Sequence, residues 1–207
     1  DCIRYFTTEE GMACVILSDG MGSGEQAREE SESTVRMAER FLRAGISAAD
    51  CVRTIGPALK LRTQGKKFVT LDISTIDLFT GEAVSVKCGA APSFVRAADG
   101  DDSVRVRRIL SSTLPAGLEE AGDMDVTQFR MGSQDALVLL SDGIVDADGS
   151  NAGWVEELLA DSVKLSAREL AARLVLEGSA RGAPDDMSAV VVYLGKRAQR
   201  EMQEAGG

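Results

Sequence analysis

Asp19 and Asp142 are the residues from which chemistry can be read. Each closes an apolar run and precedes a glycine, in Val15-Ile16-Leu17-Ser18-Asp19-Gly20-Met21-Gly22-Ser23-Gly24 and, far downstream, in Leu139-Leu140-Ser141-Asp142-Gly143-Ile144. A strand end is held by its ladder, so a carboxylate placed there is aimed in advance. Asp-Gly recurs at Asp99 and Asp148, but in polar, loop-like settings that read as turns. Two more acids stand before strands: Asp1 ahead of the first, and Asp185, within Pro184-Asp185-Asp186-Met187-Ser188, ahead of the last. Gathered in one cleft, these carboxylates would repel one another and raise each other's pKa. A pair of divalent cations removes that penalty. Carboxylates are the ligands hard cations prefer, and the chain has no histidine. Two such ions can bind a phosphate oxygen, lower the pKa of a bridging water and orient the hydroxide for in-line attack on phosphorus.

The elements that must position these acids are legible from periodicity. Residues 3–6 and 12–18 read as strands joined by a turn at Glu9-Glu10-Gly11. Ser23-x-x-Gln26 opens a helix with a capping-box pattern, and Ala27, Ser31, Val35, Ala38 and Leu42 form its buried stripe to about Ala44. Gly45 ends it, and Ser47-x-x-Asp50 caps a second helix that buries Val52, Ile55 and Leu59. Residues 68–79 alternate as a long strand, Thr80-Gly81 makes a turn, and residues 82–88 return as a hairpin. Strands follow at 92–97, 104–110, 125–131 and 136–141, helices at 152–162 and 167–179, the latter behind the capping box Ser166-x-x-Glu169, and a last strand at 187–194. Helices grouped apart from antiparallel runs predict an α+β layered domain. Residues 1–195 read as one domain containing a helical hairpin at 25–62, and 196–207 as a charged tail.

Bulk composition narrows the partners. The 207 residues, 44% hydrophobic and 27% charged, suffice for one sizeable core. A net charge of −10 repels nucleic acid and anionic membranes. Cys2, Cys14, Cys51 and Cys88 form no Cys-x-x-Cys pair, which argues against a disulfide framework or a zinc site and for a reducing cytosol. No apolar run approaches the length of a membrane span, so no membrane contact by the chain itself is expected. The first residue is Asp1 and not Met, as in a fragment of a longer protein.

Ser18-Asp19-Gly20-Met21-Gly22-x-Gly24, Ser141-Asp142-Gly143-Ile144 and Asp185-Asp186-Met187-Ser188 ahead of an apolar strand resemble metal-dependent serine/threonine phosphatases of the 2C type. More narrowly, the chain resembles the phosphatase-domain family of stage II sporulation protein E. Leu61-Arg62-Thr63, residues 70–78, Pro92-Ser93-Phe94 and Leu114-Pro115-Ala116-Gly117 support the match, which runs from Asp1 to about Leu194. The resemblance implies an antiparallel β-sandwich flanked by helices, truncated at its N-terminus, with two Mn2+ (or Mg2+) ions at one end. Asp19 would bridge both ions, the carbonyl of Gly20 would complete one shell, and Asp142 and Asp185 would hold the other ion. Asp1 would match the family's Gly-Asp aspartate and bind or orient water, while Asp186 would be a neighbour. The arginine with which many relatives hold the substrate phosphate would precede Asp1. The implied substrate is a phosphoserine on an anti-anti-sigma factor, whose dephosphorylation releases a sporulation sigma factor. The hairpin at 25–62 would be a regulatory element and a possible homodimer contact, and the parent protein would be membrane-anchored with this part at the cytoplasmic face.

Three rival readings fare less well. Gly20-x-Gly22-x-Gly24 has the wrong spacing for a dinucleotide fingerprint, and Asp19 would repel a pyrophosphate. Asp146, Asp148, Ser150 and Glu157 match some EF-hand positions, but Asn151 stands where that loop needs glycine. The third is a phosphatase-like module that docks a phosphoprotein without turnover. Aspartate at all four ligand positions argues against it.

Overall fold

The computed structural model describes residues 1–22, 24–99, 103–118, 123–147, 149, 151–183 and 185–195. In chain order the elements are β1 (Cys2–Thr7), β2 (Met12–Ser18), α1 (Glu25–Arg43), α2 (Ala48–Thr63), β3 (Leu71–Asp77), β4 (Glu82–Cys88), β5 (Ser93–Asp99), β6 (Ser103–Ile109), β7 (Asp125–Arg130), β8 (Ala136–Leu140), α3 (Asp142–Val145), α4 (Gly153–Asp161), α5 (Ala167–Ala180) and β9 (Ala189–Tyr193). The class is α+β with antiparallel ladders, as the sequence predicts. The chain divides into two compact units.

The first unit comprises Asp1–Ile76, Ala83–Ala91 and Leu110–Phe129. Its sheet has the order β1-β2-β3-β4-β7, and α1 packs on β1, β2 and α2. Between sheet and helices lies a core of Phe6, Cys14, Ile16, Val35, Ala38, Val52, Ile55, Leu59, Leu71, Ile73 and Val86, all buried. Most of the helical stripe read from the sequence is in this core. It gains Thr34, while Ala27 is only half-buried. The register Asp72↔Lys87 and Ser74↔Ser85 puts polar residues on one face of the β3–β4 hairpin, and all four are buried. Lys87 and Asp72 form an ion pair there, at 0% and 1% side-chain exposure.

The second unit comprises Asp77–Glu82, Pro92–Ile109 and Arg130–Gly207. Its sheet runs β6-β5-β8-β9 with every ladder antiparallel. Helix α5 packs on β9, and α4 on β5 and β6. Arg108 pins α4 by a paired contact of Nε and Nη2 with Glu156, both at 2.8 Å. The predicted capping box is present: Ser166 Oγ accepts from Glu169 N–H, and Glu169 reaches back to the Ser166 N–H at 2.9 Å.

Three local readings need correction, and the second helix holds as read. Helix α1 starts at Glu25 with Gly24 as its cap at φ 93°, without a side-chain cap, and Ser23 lies outside the described residues. Strand β3 is shorter than 68–79, because Asp77 Oδ1 accepts from Phe79 N–H at 2.7 Å and Thr80 N–H at 3.1 Å and so closes the turn early. Helix α2 runs through Pro57, whose propensity cost is outweighed by burial of Val52, Ile55, Gly56 and Leu59. Asp142 does not hang from a strand end but opens α3, which the sequence reading missed. The Asp148 turn, part of the EF-hand-like spacing and the charged tail lie outside the described residues.

All four cysteines are free, and three are buried. Burial pushes the thiols of Cys14, Cys51 and Cys88 up to about 11. The folded chain therefore keeps protons that the unfolded chain releases, so stability is full below about pH 8.5 and falls as pH rises towards 11. A disulfide exchange reagent at pH 8 should spare these three thiols in the native protein and titrate them on unfolding. Rapid native labelling would contradict their burial.

Candidate metal centre

Strand pairing delivers the first acids. The β1–β2 register sets Cys2 against Ser18, so Asp1 lies beside Asp19 at the end of the ladder. The Asp1 amino group stands 3.7 Å from Asp19 Oδ1, and the two side chains are 7% and 30% exposed. Asp1 Oδ2 is buried and has no hydrogen-bond partner among the described residues. A buried carboxylate oxygen in that position is costly unless a cation or a water meets it.

The turn after Asp19 is tightly held. Ser18 Oγ donates to the Thr70 carbonyl at 2.7 Å, Asp19 N–H donates to Thr70 Oγ1 at 2.9 Å, and Thr70 N–H donates to the Asp19 carbonyl at 2.7 Å. Met21 N–H donates to the Phe68 carbonyl at 3.0 Å, and Gly20 bridges Val69. A Cβ on Gly20 would collide with the Ala27 carbonyl and lie 2.8 Å from Ser31 Oγ. Only glycine permits α1 to approach the turn so closely.

The second unit repeats the device. Ser141 Oγ accepts from Ser188 N–H at 2.8 Å and donates to the Asp186 carbonyl at 3.2 Å, while Ser141 N–H donates to the Ser188 carbonyl at 3.0 Å. A Cβ on Gly143 would strike the Asp186 carbonyl and come within 2.9 Å of that of Asp185. Asp142 and Asp185 are thus carried on backbones in contact. Both are exposed, and each accepts the next residue's N–H on Oδ1 at 2.8 Å.

Asp1, Asp19 and Gly20 therefore meet in the first unit, and Asp142 and Asp185 in the second. Neither unit by itself gathers three acidic or thiol side chains into a metal cage among the described residues. The donors are all oxygen, which suits magnesium or manganese and not zinc or copper. Sequence reasoning missed Thr70, and it missed Ser18 and Ser141 as the staples of the two turns. The repeated Ser-Asp-Gly was the available signal, since in both copies the serine hydroxyl ties the turn to a neighbouring backbone.

The model of the family "Stage II sporulation protein E (SpoIIE)" matches residues 9–194. Stage II sporulation protein E of Bacillus subtilis (strain 168) is 31% identical over 184 residues, 86% of this chain and 22% of that protein. The chain spans about a quarter of the length of the curated relatives it matches. Among solved structures, the PP2C phosphatase domain of SpoIIE from Bacillus subtilis, with a fragment of its regulatory domain, superposes at a TM-score of 0.74. The identity there is 30%, covering 92% of this chain and 58% of the other. RsbX in complex with magnesium shares the fold at a TM-score of 0.72 and 15% identity, covering 92% of this chain and 84% of its own. With the two Ser-Asp-Gly turns lying inside that matched stretch, the chain belongs to the stage II sporulation protein E family and carries its PP2C-type phosphatase domain.

Proposed function

We propose that this domain is a manganese- or magnesium-dependent protein serine phosphatase that acts on a phosphorylated anti-anti-sigma factor and so promotes activation of a sporulation sigma factor. The observation that carries the reading is that Asp1, next to Asp19 at the end of the β1–β2 ladder, has a buried carboxylate oxygen without a hydrogen-bond partner among the described residues. Asp19 and the Gly20 carbonyl would hold divalent cations on the first unit, and Asp142 and Asp185 would supply carboxylate ligands from the second. Bound cations supply a water nucleophile at neutral pH and neutralise charge on the phosphate. Asp1 holds and orients the attacking water, and the straps from Thr70 and Ser18 keep the Asp19 carboxylate from drifting. Such preorganisation removes reorganisation from the barrier. Family membership supports the substrate class, and magnesium in the RsbX structure supports a divalent cation.

The test is phosphate release from a phosphoserine peptide by the purified chain. Release with Mn2+ or Mg2+ that stops on chelation is the expected result. Binding of the peptide without release under either metal would overturn the catalytic reading and favour a docking module.

A further inference from the structure

Glu30 sits on the inward side of α1, with a side chain only 16% exposed, and takes two cations. Lys67 Nζ reaches its Oε1 at 3.2 Å, and the Arg62 guanidinium meets its Oε2. Arg62 Nη1 also donates to Ser33 Oγ at 2.7 Å. Arg62 belongs to the last turn of α2, and Lys67 to the link between α2 and β3. The residues that follow Lys67 are the ones strapped to the metal-centre turn, through Met21 to Phe68, Gly20 to Val69, and Thr70 to Asp19. From the other side, Gly20 abuts the Ala27 carbonyl and the Ser31 hydroxyl on the opening turns of α1. The turn that carries Asp19 is therefore gripped between α1 and residues 68–70. Glu30 ties the two jaws together from one helical turn beyond Ala27.

We infer that Glu30 is a positioning residue for the Asp19–Gly20 turn. Its bonds to Lys67 and Arg62 fix the start of α1 against residues 67–70, which keeps the Asp19 carboxylate and Gly20 carbonyl in the arrangement that receives a divalent cation. A partner that orients metal ligands from outside the coordination shell acts on affinity as well as on fold. The inference rests on the metal reading given above, and the same helix supplies a control. Glu39 is 19% exposed and also holds two cations, Arg4 at 2.9 Å and Arg43 at 3.0 Å, but touches none of residues 18–21 or 67–70 through them.

The experiment measures three quantities on the wild type, Glu30→Ala, Glu30→Gln and Glu39→Ala. They are Mn2+ affinity by calorimetry, hydrogen exchange at the Met21 and Thr70 amides in metal-free protein, and the melting temperature. Both alanine variants should melt lower. Only the Glu30 variants should exchange faster at Met21 and Thr70 and bind Mn2+ more weakly, by about tenfold for alanine, as expected when an outer-shell partner is lost. Glu30→Gln keeps the shape and carries the test if the alanine variant does not fold. Wild-type Mn2+ affinity and exchange in the Glu30 variants would overturn the inference while leaving the metal reading intact, as would an equal loss in Glu39→Ala. If the wild type binds no Mn2+, the metal reading falls and the positioning role falls with it.

Discussion

Asp19→Ala is expected to abolish metal-dependent turnover, and Asp142→Ala is expected to do the same. The expected loss is about 10³-fold or more, since a catalytic metal contributes several kcal/mol to the transition state and each 1.36 kcal/mol is tenfold in rate. Neither substitution should unfold the chain. The Asp19 side chain is 30% exposed and Asp142 is exposed, so neither is packed in a core; Asp142→Ala gives up the Oδ1 contact to the Gly143 N–H, but backbone and serine contacts that alanine leaves in place also hold the turns. Circular dichroism and the melting profile should match the wild type. Asp77→Ala supplies the contrast. Its carboxylate, held below the usual range by the Thr80 and Phe79 N–H groups, only closes a turn, so stability falls while turnover per folded molecule stays. Wild-type turnover in both Asp19→Ala and Asp142→Ala would remove the metal-centre assignment.

The second large effect is on stability. Lys87 and Asp72 face each other across the β3–β4 ladder, wholly buried. Lys87→Met leaves the Asp72 carboxylate in that interior without its ammonium partner, and the expected cost is about 3–5 kcal/mol. Asp72→Leu should cost a similar amount for the opposite reason. The double variant Asp72→Leu/Lys87→Met should recover most of the loss, because a packed apolar pair of similar volume replaces a buried ion pair at little net cost. Urea denaturation of the four proteins closes the cycle. Additive losses in the double variant would show that each residue is held by other contacts.

How much of this was legible follows from which forces leave a local trace. The hairpin of β3 and β4 was plain because alternation and a Thr80-Gly81 turn are local signals, but its register was not: the strands pair Ile76↔Ala83, where a two-residue turn at Thr80-Gly81 would set Ile76 against Ser85. The capping box at Ser166 and the end of β2 at Ser18 were legible for the same reason. The acids flanking β2 and β8 stood out because apolar runs end in Asp-Gly twice. What was hidden depends on tertiary burial. Asp72, Ser74, Ser85 and Lys87 alternate with apolar residues as a solvated strand face would, yet all are buried. Glu30 looks like one of several acids on a helix surface until Arg62 and Lys67 arrive from distant positions. Helix α3 is too short to show a period, so Asp142 was read as a strand end.

The claim on which the rest depends is that Asp19, Asp142 and Asp185 are ligands of divalent cations, and a manganese titration by calorimetry tests it most directly. The account predicts two ions per wild-type chain, with binding weakened sharply by Asp19→Ala and also by Asp142→Ala or Asp185→Ala. Manganese affinity that is unchanged when Asp142 and Asp185 are both replaced, or no manganese binding by the wild type, would contradict it.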